Sequence, residues 1–183
     1  IGEVSLCHQE LADAVTKRVK LEEQLRHAIK QQEFELYLQP QVNSIEEITG
    51  AEALIRWKHP QYGLIPPDVF ISLMEKTGFI VELGRFVLDD VLKQQKRWEL
   101  FNFKQIDVSI NVSMVEVATG EFVEHVERKL VEHQVNPELI KFEITEGMAM
   151  ISESETVKYF LALKKLGVGI SLDDFGTGYT SFG

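Results

Sequence analysis

Cysteine is almost missing: Cys7 is the single one among 183 residues. Neither an intrachain disulfide nor a thiolate-rich zinc site can form, and a lone thiol fits a reducing compartment, so a cytoplasmic location is expected. Long apolar runs are also lacking. None approaches the roughly 18 residues that cross a bilayer, and no signal-peptide pattern opens the sequence, so no membrane contact is expected within this chain. Basic residues are outnumbered, 19 Lys and Arg against 29 Asp and Glu, for a formal net charge of -10. A nucleic acid polymer is therefore excluded as an expected partner, because phosphates call for clustered cations. Internal repeats and low-complexity segments are absent. What is present, 44% hydrophobic and 26% charged residues, describes a soluble globular chain with one sizeable core.

From about His8 to Gln32 the pattern predicts a charged helix with an interrupted apolar stripe, read as a linker that also docks on the domain after it. Glu33 to Val42 reads as a strand, and turn residues then lead through a hairpin to a second strand over about Gly50 to Trp57. Strand alternation puts Glu52, Leu54 and Arg56 on one face. Glu52 and Arg56 are about 13 Å apart at roughly 3.3 Å per residue, too far to pair easily, so both are expected to face a polar cavity or ligand. A turn over Lys58 to Pro66 precedes a short helix from about Pro67 to Lys76 and a longer one from about Val81 to Leu100. His59, alone in a turn, is assigned no role. Strands over Ile106–Ser113, Ile140–Thr145 and up to Asp173 then alternate with helices over Glu121–His133 and Glu153–Leu166. That alternation signals a parallel sheet with crossover helices.

The last strand ends in adjacent carboxylates, Asp173 and Asp174, before a Gly-Thr-Gly turn. Paired negative charge at the end of an apolar strand is costly unless a cation compensates it. Capping of a turn by aspartate explains such a pair taken alone. Other strands, however, carry Glu52, Asn111 and Glu143, the last two near C-terminal strand ends, where parallel α/β folds build their sites. Every donor is oxygen, which suits Mg²⁺ or Mn²⁺ and argues against zinc or copper. Two such ions would serve phosphodiester hydrolysis, with Arg56 placed to hold a phosphate. The rival from the same residues is a glycosidase with Glu52 and Glu143 as its carboxylate pair, which leaves Asn111 and the aspartates unexplained.

EALIRW at Glu52 to Trp57, NVS at Asn111 to Ser113, EITE at Glu143 to Glu146, DDFGTGY at Asp173 to Tyr179 and LQPQ at Leu38 to Gln41 resemble, in order and spacing, the EAL domain family. The resemblance covers about Glu33 to Gly183. It implies an α/β fold, an incomplete TIM-like (β/α)₈ barrel of the EAL type, with a first strand that runs antiparallel. About five of the eight strands are present, preceded by an N-terminal helix. It further implies a cyclic-di-GMP phosphodiesterase that yields linear pGpG with two Mg²⁺ or Mn²⁺ ions in bacterial second-messenger signalling. By the same resemblance Glu52, Asn111, Glu143, Asp173 and Asp174 bind metal, with Asp173 bridging. Glu52, Asp173 and Asp174 are the catalytic set, and Gln39, Leu54 and Arg56 contact the dinucleotide.

Residues 1–32 are accordingly assigned to a linker helix that resembles the connector after a GGDEF-type domain, and 33–183 to the N-terminal part of an EAL domain. An upstream GGDEF or sensor domain and a homodimer are the partners this leaves open besides cyclic-di-GMP. The family pattern continues with a Lys-x-Asp strand, whose lysine positions the attacking water, and with further ligands beyond Gly183. This chain is therefore expected to be a fragment and inactive by itself. The alternative is a degenerate EAL module that binds the dinucleotide as a receptor without hydrolysing it.

Overall fold

The structure, a computed structural model, describes residues 21–145 and 153–173. It opens on a helix, α1, over 21–28, the described end of the predicted linker segment. Leu25 and Ala28 of α1 are fully buried in the main core, so this end of the segment docks.

The strands are β1 (Phe34–Val42), β2 (Ile48–His59), β3 (Gly63–Ile65), β4 (Asp107–Asn111), β5 (Ile140–Thr145) and β6 (Gly169–Asp173). The helices after α1 are α2 (Pro67–Thr77), α3 (Ile80–Leu100), α4 (Met114–Val117), α5 (Phe122–His133) and α6 (Glu153–Leu166). The sheet runs β1-β2-β4-β5-β6, with β3 paired on β2. The β1–β2 pair is antiparallel, and β2–β4, β4–β5 and β5–β6 are parallel. The α/β class and the antiparallel first strand are as expected.

Local chemistry explains most boundaries. Asn43 Oδ1 accepts from Ile45 N and Glu47 N, both at 3.0 Å, which folds the β1–β2 turn as an Asx turn does. Pro67 opens α2 at a position that lacks an intrahelical N–H partner in any case. Gly78 closes α2 with φ +78°, a left-handed conformation that costs glycine little. His59 is 4% exposed, and its Nδ1 accepts from the backbone N–H groups of Gln61 and Tyr62. It shapes the β2–β3 turn, in keeping with the structural role of most turn histidines.

Three elements went unseen in the sequence. β3 is three residues long and exists only because β2 offers an edge. β4 stops at Asn111 rather than at Ser113, since Ser113 caps the four-residue α4. A 3₁₀ turn over Pro137–Leu139 leads into β5.

The core lies between the sheet and its helices. Ala53, Trp57, Val108, Ile110, Ile140 and Phe142 from the strands meet Leu83, Val87 and Val91 of α3, Val126 and Leu130 of α5, and Leu163 of α6. Trp57 is fully buried. Its ring stacks on Phe34 at 5.8 Å, meets Phe70 edge-on, and its indole N–H donates to Glu33 Oε2 at 2.9 Å. Gln95, also buried, donates to Ile106 O at 2.7 Å and ties α3 to the start of β4. Among the described residues no helix is long and apolar enough to cross a membrane.

Candidate functional site

Residues paired in register share a face of a sheet. The ladders align Gln39 with Glu52, Glu52 with Ser109, Ser109 with Lys141, Asn111 with Glu143, and Glu143 with Ser171. Leu54 pairs with Tyr37 and Arg56 with Glu35 on that same face. One face of the sheet is thus lined by polar and charged groups from five strands. The opposite face supplies the strand residues of the core.

Within it, Asn111 Nδ2 donates to Glu52 Oε1 at 2.8 Å. Residues 59 positions apart meet because β2 and β4 lie side by side in parallel. Glu143 stands beside Asn111 in the next ladder and receives a long hydrogen bond, 3.4 Å, from Ser171 Oγ. Glu52 and Glu143 are half-buried and Asn111 is exposed. Asp173 ends β6 opposite Thr145 in register; Asp174 lies outside the described residues. Of the three residues expected to contact a dinucleotide, Gln39 is exposed while Leu54 and Arg56 are half-buried. Arg56 does not pair with Glu52: its Nη1 donates to the carbonyl of Ile55 at 2.9 Å.

A cavity of about 300 Å³ adjoins the row: Leu54, Asn111 and Glu143 line it together with core-side residues Ala53, Ile55 and Val112 and largely apolar side chains of α2 and α3. Glu75, Ser113 and Glu116 also line it. The donor set of Glu52, Asn111 and Glu143 is oxygen throughout and carries less charge than three carboxylates would. It fits a hard divalent cation and does not fit zinc or copper.

A second acidic group, Asp89, Glu132 and His133, sits on α3 and α5 and shares no residue with this row. Asp89 is already engaged by Lys93, Lys129 and His133, and Glu132 by Lys129. Burial pushes the Asp89 carboxyl up, but hydrogen bonds from Lys93, His133 and Lys129 outweigh it and hold the group well below the usual carboxylate range. It is an ion-pair network.

Strand alternation in IDVSINVS places Ser109 on the face of Asn111, as found; sequence reasoning missed Lys141 and Ser171, although the same alternation carries them there. It also missed Glu116, for which Ser113-x-x-Glu116 is the signature of a capping box. Glu75 had no signal: its contact with Ser113 is tertiary.

The chain belongs to the EAL domain family, which it matches over residues 22–183. It is 37% identical over 166 residues to the bifunctional diguanylate cyclase/cyclic di-GMP phosphodiesterase MucR of Pseudomonas aeruginosa, covering 90% of this chain and 24% of MucR. It is 32% identical over 174 residues to the cyclic di-GMP phosphodiesterase NbdA of the same species, covering 94% of this chain and 22% of NbdA. The chain therefore spans about a quarter of the length of these curated relatives. The solved structure of the MucR phosphodiesterase in complex with c-di-GMP superposes with a TM-score of 0.84 at 38% identity, covering 88% of this chain and 66% of that one. The sheet and helices are those of a TIM-like EAL barrel, part of which this chain supplies.

Proposed function

We propose that this chain is part of a cyclic-di-GMP phosphodiesterase domain, which cleaves the cyclic dinucleotide to linear pGpG with two divalent ions, Mg²⁺ or Mn²⁺. One observation carries the reading. Glu52 and Asn111 are in contact across neighbouring parallel strands, with Glu143 next in the row, on a polar face beside an open cavity. The relatives named as cyclic di-GMP phosphodiesterases support it further.

In this reading Glu52, Asn111, Glu143, Asp173 and Asp174 hold the cations. Metal at such a site lowers the pKa of bound water and stabilises developing charge on phosphate oxygens. The protein's part is positional. Asn111 orients one oxygen of Glu52 through its amide N–H and leaves its own carbonyl oxygen for a cation. As a neutral ligand it also limits the repulsion among carboxylates. Arg56 grips a phosphate once it leaves the Ile55 carbonyl, and Gln39 and Leu54 flank the dinucleotide. Residues 1–32 act as a linker from an upstream GGDEF or sensor domain, in keeping with relatives about four times as long, and the domain works in the cytoplasm.

The full-length protein with Mn²⁺ or Mg²⁺ is expected to convert cyclic-di-GMP to pGpG, read by chromatography of the products. Binding without turnover would assign the receptor role instead. Neither binding nor turnover would remove the reading altogether.

A further inference from the structure

Asn111 is the last residue of β4, and the chain after it is held from three sides. Val112 N donates to Glu143 O at 3.0 Å and carries the pairing with β5 past the end of the strand. Ser113 Oγ donates to Glu75 Oε1 of α2 at 2.7 Å. Ser113 N donates to Glu116 Oε2 at 2.9 Å, closing a capping box.

Glu116 is only 6% exposed, a rare situation for a carboxyl group. Its Oε1 rests against α3 at Gly84, where an added Cβ would come within 1.7 Å of it. Glycine in the middle of a helix is disfavoured relative to alanine, so Gly84 has a steric reason to be there: it leaves room for this carboxyl group.

We propose that Glu116 is a positioning residue for Asn111: seated in the space Gly84 leaves open, it fixes the Ser113 backbone and, through it, the strand end that holds Asn111 against Glu52. The proposal rests on the reading of Asn111 as a metal-binding group. Around Glu116 stand Glu75 from α2, and Arg85 of α3 and His125 of α5, which share with it a cavity of about 20 Å³. Burial pushes Glu116 up to about 7, the Ser113 N–H opposes the rise and Glu75 adds to it. A protonated carboxyl group still accepts from Ser113 at its carbonyl oxygen, and so does an amide.

The test is calorimetric titration of the full-length protein with Mn²⁺ alone, beside thermal melts and circular dichroism. Glu116→Gln keeps the acceptor and is expected to bind Mn²⁺ within about twofold of wild type. Glu116→Ala should lose about tenfold, the scale on which groups behind a metal ligand act. Gly84→Ala should lose a similar factor by evicting the carboxyl group. The Gly84→Ala/Glu116→Ala double variant, with no clash left, should bind no worse than Glu116→Ala. Wild-type Mn²⁺ affinity in folded Glu116→Ala, or in folded Gly84→Ala, would overturn the proposal. Where Glu116→Ala does not fold, wild-type affinity in the double variant or a tenfold loss in Glu116→Gln would overturn it too. A wild-type protein that binds no Mn²⁺ would overturn the metal reading itself.

The pH arm has a definite sign. With its folded pKa above the ordinary 4.5, Glu116 contributes stability that is whole below that value and is lost as pH rises through about 7. The melting temperature of wild type should therefore fall relative to Glu116→Gln over that window. Parallel melting curves would overturn the assignment of a buried, proton-binding carboxyl group.

Discussion

The two faces of one sheet obey opposite rules. On one, Ala53, Val108, Ile110, Ile140 and Phe142 are buried in one core with residues of the helices, where an unpartnered polar side chain would be costly. On the other, Glu52, Ser109, Lys141, Glu143 and Ser171 follow the same strands at the alternate positions. In a TIM barrel the inward face is ordinarily filled by branched apolar residues. Here five strands give those positions to polar groups, which cannot interlock as branched apolar side chains do. The apolar and the polar set are thus separated by one residue of register, so a slip of one residue would destroy both.

Substitutions on each face should therefore fail in different ways. Glu52→Ala in the full-length protein is expected to lower phosphodiesterase turnover by about a thousandfold or more, as loss of a ligand on a catalytic cation does, with a melting temperature close to wild type. Retained turnover in Mn²⁺ would take Glu52 out of the metal site. Trp57→Ala, on the other face, should cost about 3 to 5 kcal/mol of stability, measured by urea unfolding, and should reduce activity only through loss of folded protein. Arg56→Ala should weaken cyclic-di-GMP binding by roughly tenfold, the scale of one charge-assisted contact, without moving the melting temperature. Unchanged affinity would deny it a phosphate.

The smallest effect belongs to neither face. Asp89 is held ionised by its cations, with a folded pKa below its usual 3.8. Its contribution is present above that usual value and is lost as pH falls further. Acid melts of wild type and Asp89→Asn should draw together progressively as pH falls below that usual value, and a separation that stays constant down the acid range would show that the Asp89 carboxyl group is not held ionised by its cations.

Much of this was legible in the residues. Alternation within GAEALIRW and IDVSINVS assigns Glu52 and Asn111 to the polar face, and β5 and α6 coincide with their predicted ranges. The helical stripe of α5 is equally plain, with Val126 and Leu130 buried as expected. β3 escaped because three residues carry no period. α4 escaped because the strand pattern of IDVSINVS runs through Ser113 without a break. Arg56 was expected to face a ligand, but its resting hydrogen bond to Ile55 O is a choice among rotamers, which spacing does not determine.

What the sequence determined by itself is the periodicity: which side of each strand is apolar, where the longer helices run, and that Glu52, Asn111, Glu143 and Asp173 all offer oxygen donors. These follow from local sterics and from the cost of desolvating charge, and neither depends on distant residues. Only the tertiary structure decided the neighbours: that β2 lies against β4 so that Asn111 reaches Glu52, and that Gly84 opposes Glu116. Such contacts join residues tens of positions apart, and they form only when helices and sheet close on a common core.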